Sequence, residues 1–367
     1  MTKKSPFRVL GAGDPAPWFR QRSGSNPDFA FDTVGGRYVV LCFFGSSQPK
    51  ASQEAVAAAM TATDIFDDEH ACFFGVTTDP EDEKILRERY PGYRYFWDSN
   101  GLISRLYGAL SEDEPVQRRR LWVVLDPTLR IMKATLFSPT SSAEVIAFVR
   151  ALPPPPRFTG MDLSAPVLVL PNVFEPELCR ALIDLYQANG GAESGFMRDE
   201  DGRTIMQFDD KHKRRRDFLV EDRTLIGVIQ NRVTRRIAPE IAKVHQFKVT
   251  RMERYLVGCY RADDGGHFRA HRDNTTKGTA HRRFAVTVNL NSDFDGGELS
   301  FPEYGPRTYK PAPGCAVVFS CSLLHAVSKV TRGERFAFLP FLYDDAAAAI
   351  REQNNAFLGE GVGEYRR

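Results

Sequence analysis

Four consecutive prolines, Pro153-Pro154-Pro155-Pro156, do most to limit how this 367-residue chain can fold. Each ring fixes φ and removes a backbone donor, so the run suits neither a helix interior nor a central strand and favours a stiff extended spacer. It leaves about 152 residues before it and 211 after it, each the size of a domain. The predicted organisation is a first domain over 1–152, a linker over 153–162, a second domain over 163–345 and a polar tail over 346–367. Apolar residues make up 42% and charged residues 26%, which rules out a chain disordered throughout. The formal net charge of +2 gives no global electrostatic case for a nucleic-acid or membrane-surface partner.

No stretch approaches the ~18 uninterrupted apolar residues of a membrane span, so a soluble protein is expected. The basic start MTKKSPFRVLGAGDPAPW lacks the apolar run of a signal peptide. Six cysteines (Cys42, Cys72, Cys179, Cys259, Cys315 and Cys321) are scattered without a CxxC pair. Buried free thiols in a reducing cytoplasm are the expectation.

Before the prolines, strand and helix patterns alternate. Apolar runs at 38–44, 72–76, 121–125 and 131–137 read as buried strands. Helical patterns fill 51–66, 80–89, 101–109 and 141–151, the last opening on Ser141-x-x-Glu144 as a capping box. Such alternation implies an α/β sheet domain. After the prolines, helices are predicted near 175–189, ending at Gly190-Gly191, and near 222–236 with Asp222 as N-cap. Strands follow at 248–260, 284–290, 298–301, 316–319 and 335–342, punctuated by Gly, Pro, Asn and Asp. That pattern fits a β-sandwich or jelly roll with helices outside.

The chemistry concentrates in this second half. In His271-Arg272-Asp273 an extended backbone projects residues i and i+2 to one face, so His271 and Asp273 can reach one ion. His325 closes the apolar run 315–324. Two histidines and a carboxylate are the set that binds non-haem Fe(II) on one face and leaves positions open. Arg335 lies ten residues beyond His325, where a returning strand can set a fixed cation beside the metal. A guanidinium is the natural bidentate partner of a carboxylate co-substrate. Zinc hydrolysis is disfavoured because no HExxH is present.

The ordered set Tyr260…Gly266-His267-Phe268…His271-x-Asp273, then Leu290-Asn291, Gly296-Gly297-Glu298-Leu299-Ser300-Phe301-Pro302, Pro313-Gly314, Phe319, His325 and Gly333-x-Arg335 resembles the 2-oxoglutarate/Fe(II) dioxygenases of the prolyl-4-hydroxylase type. The resemblance covers about 247–345. It implies a double-stranded β-helix (jelly roll) with His271, Asp273 and His325 as iron ligands. Arg335 would bind 2-oxoglutarate, and Tyr260 would hydrogen-bond it. It further implies O2 as oxidant, ascorbate as a candidate accessory, and hydroxylation of a C–H bond with release of succinate and CO2. The substrate would be a peptide, a protein side chain or a free amino acid. His267 is expected to line the pocket, and His281, beside Arg282 and Arg283, to lie at the surface or on the substrate side.

The first half, through Gly13-Asp14-Pro15-Ala16-Pro17-Trp18-Phe19, the 38–45 strand, Trp97-Asp98, Leu106-Tyr107-Gly108 and 120–127, resembles a peroxiredoxin-type thioredoxin fold over about 8–150. That family's nucleophile is a low-pKa cysteine just after the first core strand, near a helix start. Here the chain reads FFGSSQPKASQEA, with no cysteine between Cys42 and Cys72. Arg120 stands where the family keeps an arginine near the thiolate. The expectation is a domain without peroxidase activity, left with a scaffold, substrate-delivery or homo-oligomerisation role.

The polar stretch 192–217, ending in His212-Lys213-Arg214-Arg215-Arg216, reads as a solvated loop or, alternatively, as a lid that selects substrate. Arg118-Arg119-Arg120 reads as a loop leading into a strand. A non-catalytic sensor that keeps the metal site and a nucleic-acid demethylase are the rival functions. The second loses ground because the demethylases carry an arginine six residues after the first, where this chain has Phe341.

Overall fold

A computed structural model describes residues 5–365; the first four residues of the basic N-terminus and the last two of the expected tail lie outside the described residues. The chain divides into two compact units, Met1–Ser164 together with Pro302–Gly305, and Ala165–Phe301 with Pro306–Arg367.

The first unit is built on a five-stranded mixed sheet. Its elements are β1 (Tyr38–Gly45), α1 (Lys50–Thr61), β2 (Ala71–Thr77), β3 (Tyr93–Trp97), α2 (Leu102–Leu106), β4 (Leu121–Leu125), β5 (Ile131–Leu136) and α3 (Ser141–Arg150). The strand order is β3-β2-β1-β4-β5. Strands β1, β2 and β3 run parallel, and β4 and β5 pair antiparallel. This is a thioredoxin-like arrangement. Residues of β1 alternate between two cores: Val39, Leu41 and Phe43 enter one, and Tyr38, Val40, Cys42 and Phe44 the other. A strand covered on both faces must be apolar throughout, which is why β1 reads as an unbroken run.

Three details depart from the sequence expectation. Strand β3, which carries Trp97, was not anticipated. The expected capping box on α3 is absent: Thr140 is the N-cap without a side-chain cap bond, Ser141 Oγ donates to Ser138 O, and Glu144 instead accepts from Thr140 Oγ1 at 2.6 Å. The proline run is not a free spacer: Tyr38 Oη donates to Pro153 O at 2.9 Å, and Pro155–Arg157 form a 3-10 turn.

The second unit is mainly β. It runs β6 (Leu168–Leu170), α4 (Pro176–Asn189), β7 (Phe196–Glu200), β8 (Arg203–Gln207), β9 (Lys213–Arg214), β10 (Arg216–Leu219), α5 (Arg223–Arg236), α6 (Ala238–His245), β11 (Arg251–Glu253), β12 (Leu256–Arg261), β13 (His267–His271), β14 (Phe284–Asn289), β15 (Leu299–Ser300), β16 (Thr308–Tyr309), β17 (Ala316–Ser320), β18 (His325–Val327), β19 (Glu334–Phe338), β20 (Phe341–Tyr343) and α7 (Asp345–Gln353). The larger sheet has the order β11-β20-β14-β19-β12-β10, ending on Ala192–Glu193, with β17 and β6 attached through β14. The smaller sheet is β9-β13-β18-β15-β16. Two antiparallel sheets with helices packed outside make the expected jelly roll. Asp222 caps α5 by accepting from Leu225 N at 2.7 Å, and α4 ends at Gly190, which has φ 72°.

Two strands expected as continuous are broken. The 248–260 stretch turns at Arg254, where φ is 68°, and 335–342 is interrupted at Leu339-Pro340 because proline cannot donate to the ladder. The expected polar tail begins as helix α7, capped by Asp344, and later pairs Leu358 with Thr204. The stretch 192–217 is not a solvated loop but strands, including the β7–β8 hairpin. Among the described residues no helix is long and apolar enough to cross a membrane.

Candidate metal centre

Strands β13 and β18 pair antiparallel with His271 opposite His325, and their ring centroids lie 4.2 Å apart. A register irregularity between Phe268 and His271 re-aims the end of β13, the usual effect of an extra residue in a ladder. Asp273 follows just beyond it, held by its own N–H donating to Cys321 O at 2.9 Å. His271 Nε2 lies 3.6 Å from Asp273 Oδ1, and His325 Nε2 lies 3.3 Å from Asp273 Oδ2. One potential ligand atom from each of the three falls within 4.8 Å of the others.

The second nitrogen of each ring sets the tautomer. His271 Nδ1 sits 2.7 Å from Arg269 O, and His325 Nδ1 sits 3.0 Å from Leu323 O. A carbonyl can only accept, so each Nδ1 carries the hydrogen and each Nε2 lone pair is free to face an ion. Burial, with His325 beside it, brings His271 down to about 4, so its imidazole is neutral at ordinary pH. For Asp273, burial acts upward, but the positive charge that the neighbouring imidazoles carry when protonated, with Arg282, outweighs it and holds the carboxyl below its usual range. Phe268 stacks on His271 at 3.5 Å, and Phe319 meets His325 edge-on at 4.7 Å, which walls both rings with apolar surface.

On the larger sheet, Tyr260 and Arg335 are direct cross-strand partners on β12 and β19. Arg335 is 3% exposed. Its Nη2 donates to Thr287 Oγ1 at 3.1 Å and Asn289 Oδ1 at 3.2 Å, whereas its buried Nη1 has no partner. A buried guanidinium nitrogen without an acceptor is costly, which marks a place for an incoming anion. Gly297, at φ 67°, gives Arg335 room: a Cβ there would stand 3.1 Å from its Cδ and 2.9 Å from Val330 Cγ2.

Tyr260 has a second cation that the sequence reading missed. Arg215 Nη1 donates to its hydroxyl at 3.3 Å, and both Arg215 and Arg335 lie over its ring, at 5.7 and 5.3 Å. Arg215 is itself clamped by Asp217 at 2.6 and 2.7 Å. Lys213 and Arg215 are buried while Arg214 and Arg216 are exposed. That is strand alternation, and it was the available signal; an all-cationic run hid it because apolar residues usually mark the inward face. Thr287 and Asn289 left no signal beyond their place in an apolar strand.

Of the other histidines, His212 places its ring 6.4 Å from that of His271, whereas His267 and His281 are bonded elsewhere. His267 is tied to Gly265 O at 2.8 Å and Lys211 O at 3.3 Å. His281, expected at the surface or on the substrate side, is 1% exposed and bonded to Glu253 at 3.1 Å. Arg282 joins it on Glu253 at 2.7 Å. Here the sequence expectation fails because a buried carboxylate recruits both neighbours inward.

In the first unit, the segment after β1 holds a closed set of hydroxyls. Ser47 and Thr77 both bond Asp82, Ser46 donates to Asp79 at 2.7 Å, and Ser52, in the first turn of α1, donates to Phe44 O at 3.0 Å. Arg120 donates to the same carbonyl at 3.2 Å. Cys42 and Cys72 lie inside the sheet, where burial pushes the first thiol well up and the second to about 12. Cys315 is only partly buried, unlike the other five cysteines.

Comparison with known proteins matches this architecture part by part. Residues 255–343 match the 2OG-Fe(II) oxygenase superfamily, and residues 12–133 match the AhpC/TSA family. The chain thus joins an AhpC/TSA domain, peroxiredoxin-like, to a 2OG-Fe(II) oxygenase domain. A PKHD-type hydroxylase of Pseudomonas putida is 37% identical over 115 residues, 28% of this chain and 50% of that protein. One from Paracoccus denitrificans is 41% identical over 86 residues, 21% of this chain and 38% of that protein. The chain therefore spans about half or less of the length of the curated relatives it matches. A prolyl hydroxylase of Trichoplax adhaerens, solved with a hypoxia-inducible-factor peptide, is similar at 16% identity and TM-score 0.41, covering 50% of this chain and 86% of that one.

The matched family is named for Fe(II) and 2-oxoglutarate, and the residues present fit both. Two imidazole nitrogens and a carboxylate face one point, and the buried Arg335 of the same unit keeps a guanidinium nitrogen without a partner.

Proposed function

We propose that this protein is an Fe(II)- and 2-oxoglutarate-dependent dioxygenase that hydroxylates a C–H bond of a peptide, protein side chain or free amino acid. The observation that carries the reading is the convergence of His271, Asp273 and His325 on one point, together with the buried, unpartnered Nη1 of Arg335 on the larger sheet of the same unit. Bound Fe(II), 2-oxoglutarate and O2 supply the oxidising power, with succinate and CO2 as by-products; ascorbate would serve as accessory reductant.

The chain's own residues do the rest. His271, Asp273 and His325 hold the ion from one side, with the Nδ1 hydrogens anchored on Arg269 O and Leu323 O so that the rings cannot turn away. Arg335, braced by Thr287 and Asn289, presents a fixed charge to the distal carboxylate of 2-oxoglutarate. Tyr260, oriented by Arg215 and lying under Arg335, would hydrogen-bond the same co-substrate. The rings of Phe268, Phe301 and Phe319 around the histidines exclude water from the reacting face. The first domain, without a cysteine after β1, takes no redox part in this chemistry.

The test is a substrate screen with purified Fe(II)-loaded protein and 2-oxoglutarate, reading one-oxygen mass gain and succinate together. Substrate-linked succinate supports the reading. Failure to release succinate with iron stoichiometrically bound overturns it in favour of a binding protein.

A further inference from the structure

One buried cation in the second unit is matched neither by the metal ligands nor by the co-substrate. Lys213, on β9, is 5% exposed. Its Nζ donates to Ser194 Oγ at 2.7 Å and Gly195 O at 2.6 Å, both uncharged acceptors. It also stands 4.9 Å from the ring centre of Phe268, which stacks on His271. The ammonium is thus one aromatic ring away from the candidate metal centre. The Ser194 hydroxyl also accepts from Arg215 Nη2 at 3.2 Å and bonds Asp217 Oδ2 at 2.5 Å. A continuous polar arc therefore runs through Arg335, Tyr260, Arg215, Ser194 and Lys213.

Charge along this arc does not balance. Asp217 is clamped by Arg215 through both oxygens, with Arg254, partly exposed, 3.3 Å from Oδ2. The charge of Asp273 is directed to the metal. The two carboxylates of 2-oxoglutarate are used by Arg335 and the ion. Asp217 and Asp273 lie near enough to favour the charge of Lys213, but among the described residues its hydrogen bonds go only to Ser194 and Gly195, not to a carboxylate. Burial lowers its amine well below the ordinary lysine value, and Arg215 adds to the effect. A buried ammonium with only neutral acceptors is costly, and a charge-assisted bond to an incoming anion removes that cost.

We propose that Lys213 reads a carboxylate on the primary substrate. The inference rests on the dioxygenase reading above and narrows it to carboxylate-bearing substrates. A free amino acid, a peptide C-terminus and an acidic side chain share that chemistry, and the test separates them.

Full-length protein with Mn(II) in place of Fe(II) and saturating 2-oxoglutarate is titrated, without O2, with matched probes. These are free L-amino acids and their carboxamides, short peptides with free or amidated C-termini, and peptides with Asp exchanged for Asn. Hits are then incubated with Fe(II) and O2 and weighed for an added oxygen. At least one carboxylate class is expected to bind roughly 30-fold or more tightly than its neutral match. Lys213→Met should reduce that ratio below about 3-fold with 2-oxoglutarate affinity changed less than about 2-fold, and Lys213→Arg should retain much of it. Equal binding of acids and amides by the wild type, or no carboxylate probe bound, overturns the inference, as does an unchanged ratio in Lys213→Met. If Lys213→Met does not fold, the wild-type ratio and Lys213→Arg decide the matter. Wild-type protein that binds iron but never forms succinate overturns the dioxygenase reading instead.

Discussion

The two domains treat buried polar groups at their chemically suggestive ends in opposite ways. After β1 in the first domain, Ser46, Ser47, Ser52 and Thr77 all find partners in Asp79, Asp82 and the Phe44 carbonyl. In the second domain the buried Arg335 keeps a guanidinium nitrogen unpaired, and three potential ligands converge on one point. A satisfied polar network needs nothing further and reads as structure. An open donor accompanied by three converging potential ligands is a place that an anion and a metal ion together would complete.

The harshest way to break this contrast is to remove a ligand. His271→Ala or His325→Ala should abolish tight Fe(II) binding and all turnover, because two protein ligands rarely hold Fe(II). Metal stoichiometry and succinate release check this, and full activity in either variant would mean the trio is misassigned.

Arg335→Ala sharpens the contrast, since it removes the unpaired donor without touching the metal ligands. Iron should stay bound while 2-oxoglutarate weakens by about 2–4 kcal/mol, roughly 30- to 1,000-fold. Lysine should restore part of the affinity, because it keeps the charge and loses the planar fork. Titration of 2-oxoglutarate alongside iron content measures both; wild-type affinity in Arg335→Ala would hand the distal carboxylate to another group.

A third prediction concerns a buried ion cluster inside the second domain. Glu253 is buried against His281, Arg282 and Arg351. Burial acts upward on its carboxyl, but Arg282 and His281 outweigh it and hold it below the usual range. A depressed folded-state pKa gives stability that is complete above the unfolded value of ~4.3 and is lost as pH falls toward the folded value. The second domain should therefore lose stability below about pH 4. Glu253→Gln should cost about 2 kcal/mol at neutral pH and flatten the acid dependence. Thermal unfolding between pH 3 and pH 7 reads both effects, and an unaltered slope in the variant would assign acid sensitivity elsewhere.

The smallest effect is expected in the first domain. Cys42→Ala and Cys72→Ala should leave 2-oxoglutarate turnover within about 2-fold, at a stability cost of roughly 1 kcal/mol for the lost packing. A large loss of turnover in a folded variant would erase the contrast between the domains and revive a thiol redox role.

Much of this was legible in the linear chain. Residues 38–45 had to be a doubly covered strand because no polar residue interrupts them, and Asp222 announced the start of α5 through its own cap. The ordered residues His271, Asp273, His325 and Arg335 pointed to iron and a carboxylate co-substrate before any coordinates, since coordination chemistry restricts residue type and local geometry restricts spacing.

Other features depended on contacts between residues distant in sequence. Tyr260 and Arg335 meet only because β12 and β19 pair in register, and His281 turns inward only because Glu253 lies 28 residues upstream on a neighbouring strand. The cationic run at 212–216 is the clearest case. Its composition pointed to a solvated loop, yet the pairing of β9 with β13 and of β10 with β12 buried every second side chain. Local propensity and hydrophobic pattern report the elements a segment can form; which polar side chains end up inside is decided by the partners that tertiary structure brings to them.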